Sequence, residues 1–270
     1  MPFTDQTALI TGASTGIGAA FARDLAARGT HLILVARSKN KLDALAGELR
    51  TAHAIRVDVL PADLTRPDAV ADLSDQITRL GHTVDILINN AGFATHGDLA
   101  AADPHRVHNQ VQLNVSAVVD LTTVFLPAMT ARRRGTIINI ASTAAFQPLP
   151  HMAVYGATKA FVLSFTEALW AEAKPTGVRV LALCPGATET PFFDVVGAEE
   201  ASVGKRRTPE QVVATALKAL DRGVPSIVDG RANTLVTRLP RLLPRRATIA
   251  IAERSVRPRT TSPTPVTTHH

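Results

Sequence analysis

The chain has 270 residues, 46% hydrophobic and 19% charged, enough apolar sequence for one sizeable core and too much for disorder to be its main state outside the ends. The net charge of +6 is uneven: residues 1–204 carry 16 Lys and Arg against 19 Asp and Glu, whereas residues 205–270 carry 13 against 4. A basic C-terminal quarter suits a solvated face, an anionic lipid surface or an anionic substrate carrier, and with no base-reading motif beside it nucleic acid is not an expected partner.

The first predicted strand, Thr7–Ile10, runs into the turn Thr11–Gly18, which opens a helix over Ile17–Arg28. Gly12, Gly16 and Gly18 permit a tight turn and close approach of backbone amides to a pyrophosphate, with Ser14, Thr15 and Ile17 in the same turn. The helix start adds partial positive charge for that anion. The spacing is Gly-xxx-Gly-x-Gly, not the Gly-x-Gly-xx-Gly of the commonest dinucleotide fingerprint. A second strand, His31–Ala36, ends at Arg37-Ser38-Lys39 with no carboxylate. An acid there would bond the 2′-hydroxyl of NAD; its absence makes Arg37 the expected ligand for the 2′-phosphate of NADP.

Beyond this point helices and strands continue to alternate. Helices are predicted over Lys39–Ala52, Pro67–Leu80, His105–Arg133, Val154–Ala173 and Pro209–Asp221, and strands over Ile55–Leu60, Val84–Asn89, Thr136–Ala141, Val178–Leu183 and Ser226–Val228. Several strands are nearly all apolar, as strands buried on both faces of a parallel sheet are. The rhythm predicts an α/β fold, a single Rossmann-like doubly wound parallel sheet with helices on both faces. No linker interrupts it, so residues 1–256 read as one domain. Within that domain, about 231–256 form a basic helical extension, with Thr234–Arg254 broken at Pro240 and Pro244. Pro, Thr and Ser dominate the end, and 257–270 read as a disordered tail.

The chemistry centres on Ser142, Tyr155 and Lys159. Tyr155 and Lys159 are four apart and share a helix face, so the ammonium is expected to lower a phenol that ordinarily titrates near about 10. Ser142, at the carboxyl end of a strand, lies where open α/β sheets bind ligands. Phe93, Thr95, His96, Phe146, Gln147, His151, Phe192 and Phe193 are pocket candidates, and their aromatic rings favour an apolar substrate. Cys184 stands alone, so no internal disulfide forms, and the histidines show no metal-ligand spacing. The N-terminus shows no signal segment, and Val115–Met129 is short and interrupted by Asp120; a cytoplasmic protein is expected.

Taken together these motifs, over roughly residues 5–230, resemble the short-chain dehydrogenase/reductase family. In that resemblance Thr11–Gly18 is the cofactor turn, and Asp63-Leu64 follows strand three with an adenine-contacting aspartate. Asn89-Asn90-Ala91-Gly92 follows strand four and lines the cofactor. Asn114, Ser142, Tyr155 and Lys159 match the catalytic tetrad, and Pro185-Gly186 with Thr188 and Thr190 match the segment at the nicotinamide carboxamide. The resemblance implies that Lys159 binds the nicotinamide ribose and Asn114 holds a water linking Lys159 to solvent. It also implies that Glu189–Thr208 is a mobile substrate loop with Gly197 and Gly204 as flex points, and that the protein is a homodimer or homotetramer. The strand-two ending and basic C-terminus look most like bacterial reductases of undefined substrate near long-chain ketoacyl and hydroxysteroid reductases. The expected activity is NADP-dependent interconversion of a carbonyl and a secondary alcohol. Other readings are an NADP-binding redox sensor without turnover, or a membrane-surface or acyl-carrier-interacting protein.

Overall fold

The computed structural model describes residues 3–192, 196 and 205–258, except for the Arg241 side chain. The apolar runs become strands β1 (Thr7–Thr11), β2 (His31–Ala36), β3 (Val57–Pro61), β4 (Ile86–Asn89), β5 (Gly135–Ile140), β6 (Val178–Cys184) and β7 (Ser226–Val228). They form one parallel sheet in the order β3-β2-β1-β4-β5-β6-β7. The reversal of strand order lies between β1 and β4, the switch point at which such sheets bind ligands beyond the strands' carboxyl ends.

Side chains alternate between two cores, as the strand period of two requires. Ala8, Ile10, Leu32, Leu34 and Ile88 pack against α1 (Gly16–Ala27), α2 (Lys39–Ala52) and α7 (Pro209–Arg222). Their neighbours Leu9, Ile33, Val35 and Leu87 face α3 (Ala69–Arg79), α5 (Ala117–Ala131) and α6 (Ala153–Ala173). Leu9 stands in register with both Ile33 and Leu87, so one residue per strand closes the same layer. α7 shows how local sequence sets an element's ends. Thr208 and Gln211 form a capping box, Pro209 occupies the first turn, and Gly223 closes the helix at φ +63°.

Two strands start later than the sequence reading had them, and β5 starts one residue earlier, at Gly135. β3 begins at Val57, because the Ile55 amide bonds the His53 carbonyl and the Arg56 amide bonds the His31 ring. β4 begins at Ile86: Asp85 is buried and its carboxylate takes the Thr7 amide at 3.1 Å and Arg134 at 3.3 Å. The long helix expected over His105–Arg133 is α4 (Pro104–Val111), a π-turn (Gln112–Ser116) and α5 in continuous succession. As 28 residues it is long and apolar enough, by length and composition, to cross a membrane, unlike the shorter run read from sequence. In this fold one face of it joins the core: Leu121 and Met129 are buried, and Thr122 accepts a bond from Asn89 on β4.

The basic extension folds as α8 (Arg231–Arg238), a 3-10 turn (Leu239–Arg241) and α9 (Arg245–Val256). The breaks fall at Pro240, inside the turn, and Pro244, the cap of α9. Asn233 donates to the Asp229 carbonyl at 2.7 Å, and the His96 ring meets the Val256 carbonyl at 2.7 Å. These contacts hold the extension over the carboxyl edge of the sheet. Phe193, Gly197, Gly204 and the tail from 259 onward lie outside the described residues.

Candidate active site

A cleft of about 960 Å³ opens along the carboxyl edge of the sheet. One end is built by the glycine turn. Gly12 and Gly16 have φ of +65° and +57°, which side chains disfavour. A Cβ at Gly12 would stand 2.7 Å from Asn90 Nδ2, and one at Gly16 2.8 Å from Thr190 Cγ2. Asn90 donates to the Thr11 carbonyl at 2.9 Å and the Gly12 carbonyl at 3.1 Å, tying the turn to the end of β4. Thr15 caps α1 without a side-chain bond, and the first turn holds no acid, so its amides remain available to an anion.

Ser14, Thr15, Ile17, Arg37, Asp63, Leu64, Asn90, Ala91 and Gly92 line this end. Arg37 is exposed and takes no ion-pair partner among the described residues. Asp63 holds both the amide and the hydroxyl of Thr65, at 3.1 and 2.8 Å, which fixes its carboxylate on the wall. Pro185, Gly186, Thr188 and Thr190 also line the cleft, with Thr190 against Gly16. Gly18 does not face the cleft; it lets α1 pack against the Gly12 carbonyl and Asn90. The switch-point position, the glycine cradle and the unneutralised helix start fit a dinucleotide, and Arg37 fits a further phosphate on it.

At the centre of the cleft stand Ser142, Tyr155 and Lys159. Ser142 follows β5 and faces the Tyr155 phenol closely enough to lower its pKa, while its Oγ accepts the Ala144 amide at 3.1 Å. Lys159, one turn along α6 from Tyr155, donates from Nζ to the Ile140 carbonyl at 2.7 Å. Its ammonium lies 5.9 Å from the centre of the Tyr155 ring. Both groups are almost fully buried. Burial pushes the Tyr155 phenol up to about 12, opposed by the neighbouring Ser142 hydroxyl. Burial also pulls the Lys159 ammonium down to about 8, opposed by Cys184. The sequence reading expected Lys159 to lower Tyr155; instead desolvation dominates, because the ammonium is turned to a backbone carbonyl.

Asn114 lies in the π-turn and is 1% exposed, behind the cleft wall. Its Nδ2 donates to the Phe93 carbonyl at 2.9 Å and Thr158 Oγ1 at 3.1 Å, and its Oδ1 accepts the Phe93 amide at 3.1 Å. A Cβ at Gly92 would stand 2.9 Å from Asn114 Oδ1 and 3.5 Å from Lys159 Nζ. Asn114 and Lys159 therefore flank a backbone segment that tolerates no side chain.

The model of the short chain dehydrogenase family matches residues 6–201. The chain belongs to the short-chain dehydrogenase/reductase family. Curated relatives of this family member include hydroxysteroid dehydrogenases, very-long-chain 3-oxoacyl-CoA reductases and bacterial oxidoreductases. The 17-beta-hydroxysteroid dehydrogenase type 3 of Mus musculus is 32% identical over 226 residues, 82% of this chain and 71% of the relative. A short-chain dehydrogenase of Sphingobium yanoikuyae, solved with NADPH, is 36% identical with a TM-score of 0.79, covering 88% of this chain and 94% of that one. One from Burkholderia phymatum, solved with NAD, is 25% identical with a TM-score of 0.80, covering 90% and 95%.

In this short-chain dehydrogenase/reductase the substrate end of the cleft is largely apolar. Phe93, Gln147 and Phe192 line it as the sequence reading expected, and the Phe192 ring lies 5.7 Å from Tyr155. Four other pocket candidates point elsewhere. Phe146 packs with Val162 and Cys184, Thr95 bonds Gln110 at 2.7 Å, His96 holds Val256, and His151 bonds Asp98 at 2.7 Å. Sequence reasoning missed Leu149 and Met152, and on the cofactor side Lys41, in the first turn of α2. It also missed Arg207, which lines the cleft and pairs at 2.6 Å with the fully buried Asp229. Lys41 was legible as a second cation close after Arg37 in the chain; the Arg207–Asp229 pair, 22 residues apart, had no local signal.

Proposed function

We propose that this family member is an NADP(H)-dependent oxidoreductase that interconverts an apolar carbonyl compound and its secondary alcohol. The observation that carries the reading is the convergence of Ser142, Tyr155 and Lys159 in the cleft that also holds the glycine turn and Arg37. Gly12–Ile17 and the α1 start would hold the pyrophosphate, Asp63-Leu64 the adenine, and Arg37 with Lys41 the 2′-phosphate. Asn90–Gly92, Lys159, Pro185-Gly186, Thr188 and Thr190 would hold the nicotinamide half. When bound, the cofactor supplies hydride to the carbonyl carbon or accepts it from the alcohol.

The residues of the chain manage the oxygen and its proton. Ser142 and Tyr155, side by side in the cleft, both offer hydroxyls to a carbonyl oxygen, and the serine stabilises charge that develops there. Tyr155 gives up its proton to the oxygen as the alcohol forms. A phenol near 12 is protonated at neutral pH and remains a stronger acid than an alcohol. Lys159 supplies positive charge beside the phenol and hydrogen-bond donors to the ribose. Asn114 acts through others: it holds Phe93 and Thr158 and so positions α6 against the end of β4.

An apolar groove formed by Val111, Val115, Val154, Ala157 and Phe161 is the proposed contact with a second copy, as part of a homodimer or homotetramer. The deciding experiment is NADPH oxidation with a panel of steroid ketones, 3-ketoacyl thioesters of medium and long chain, and small aldehydes. Turnover of the larger apolar ketones is expected. Tight NADPH binding with no turnover on any member would overturn the reading in favour of a redox sensor.

A further inference from the structure

Among the described residues eleven large hydrophobic side chains are exposed, and six of them fall within α8, α9 and the turn between. Leu242 is 81% exposed, Leu235 72% and Val236 57%, followed by Ile251, Leu239 and Ile249. Arginines surround them. Leu235 stands four residues after Arg231 and three before Arg238, so all three share one stripe of α8. Ile249 stands four residues after Arg245 and three after Arg246 on α9. These four arginines and Arg254 are exposed. The single acid of residues 231–258, Glu253, is already engaged by Arg257 at 2.8 Å and lies 3.7 Å from the His151 ring.

The same elements form the outer wall of the cleft. Val236, Leu239 and Ile251 are exposed to solvent and also line the cavity, together with Leu243, Ala252 and Val256. The cavity therefore opens through an apolar mouth set in a basic rim. We propose that α8, the turn after it and α9 dock on an anionic lipid bilayer and that the apolar carbonyl substrate enters the cleft from that bilayer.

Charge selects this occupant. A second copy placed on the same face would set arginine against arginine, whereas anionic headgroups neutralise the rim and hydrocarbon accepts Leu235 and Leu242. An acidic carrier protein matches the arginines but leaves those leucines without a hydrocarbon phase. The docking clause stands without catalysis; the entry clause rests on the proposed oxidoreductase activity.

The test uses the full chain, Leu235→Ser/Leu242→Ser and Arg245→Glu/Arg246→Glu, none of which alters a residue on the cleft wall. Vesicles of phosphatidylglycerol with phosphatidylcholine are expected to sediment the wild type, pure phosphatidylcholine vesicles far less. Each variant is expected to lose about tenfold or more in partitioning, and added salt to weaken the wild type. Turnover of a small water-soluble ketone should be unchanged, which also reports a folded variant, while turnover of a long-chain ketone dissolved in the vesicles falls. Equal sedimentation of variants and wild type, or none by the wild type, overturns docking. A lower oligomeric mass for the leucine variant without vesicle binding assigns the face to a second copy. Capture by an acidic acyl carrier protein, with vesicles left unbound, assigns it to a carrier. Docking with unchanged turnover of the vesicle-dissolved ketone overturns entry alone. Absence of turnover on every ketone sinks the activity and leaves the vesicle result readable.

Discussion

Tyr155 and Lys159 illustrate how a buried site uses groups at unusual proton affinities. Tyr155→Phe keeps the ring packed against Phe192 and removes only the proton donor. It should lower kcat by about 10³-fold or more with NADPH affinity nearly intact; turnover near wild type would sink the assignment. Lys159, held down to about 8, carries its charge below that pH and loses it above. The phenol, near 12, stays protonated across the assay range. Reductive kcat/KM should therefore be level from pH 6 to 7.5 and fall as pH rises through about 8, which a pH–rate profile checks. A profile level to pH 10 removes Lys159 from the chemistry. Arg37→Ala should weaken NADPH by roughly tenfold and leave NADH unchanged, with the exposed site and neighbouring Lys41 limiting the loss. Adding Lys41→Ala should abolish the remaining preference, and an unchanged ratio of kcat/KM for the two cofactors in the double variant refutes the 2′-phosphate site.

At the scale of elements, the helix from Pro104 to Ala131 carries two duties on two faces. Its inner side buries Leu121 and places Asn114, through the π-turn, beside Gly92. A π-turn is costly in an ordinary helix and collects at functional positions. Its outer side leaves Val111 38% and Val124 40% exposed, and Val111 shares an apolar groove with Phe161 of α6, itself 43% exposed. Phe161 stacks on Phe165 at 5.9 Å and stands in the groove proposed as the subunit contact. Phe161→Asp places a charge there without touching the cleft. It should reduce the mass measured by sedimentation equilibrium to that of the protomer while the far-ultraviolet circular dichroism spectrum stays the same. A mass equal to the wild type's excludes this groove as the contact.

On the scale of the whole molecule, the site is a cost to the fold. Lys159 is protonated more readily in the unfolded chain than in the folded one, so stability is lower below pH 8 and rises as pH climbs from about 8 toward 10.5. A depression from 10.5 to about 8 corresponds to a penalty of order ~3 kcal/mol at neutral pH. Lys159→Met should therefore raise the cofactor-free midpoint in urea at pH 7, by less at pH 10, while abolishing turnover. A lower midpoint at pH 7 would show that the bond to the Ile140 carbonyl outweighs the desolvation of the ammonium.

The sequence by itself determined the sheet, the glycine turn and the identities at Ser142, Tyr155 and Lys159. Strand and helix periods are local, and residues four apart on one helix stay neighbours in any tertiary setting. Only the tertiary structure decided the rest. The downward shift expected for Tyr155 was overturned because burial, a property of all surrounding elements, outweighed one cation. The starts of β3 and β4 moved because a distant histidine and a buried Asp85 took backbone amides that a run of apolar residues leaves unassigned. Phe146, Thr95, His96 and His151 lay near the site in sequence yet bonded elsewhere, while Arg207 and the walls supplied by α8 and α9 came from far along the chain. A cleft is assembled from loops that different strands deliver to one edge, and no local pattern records which of their side chains turn inward.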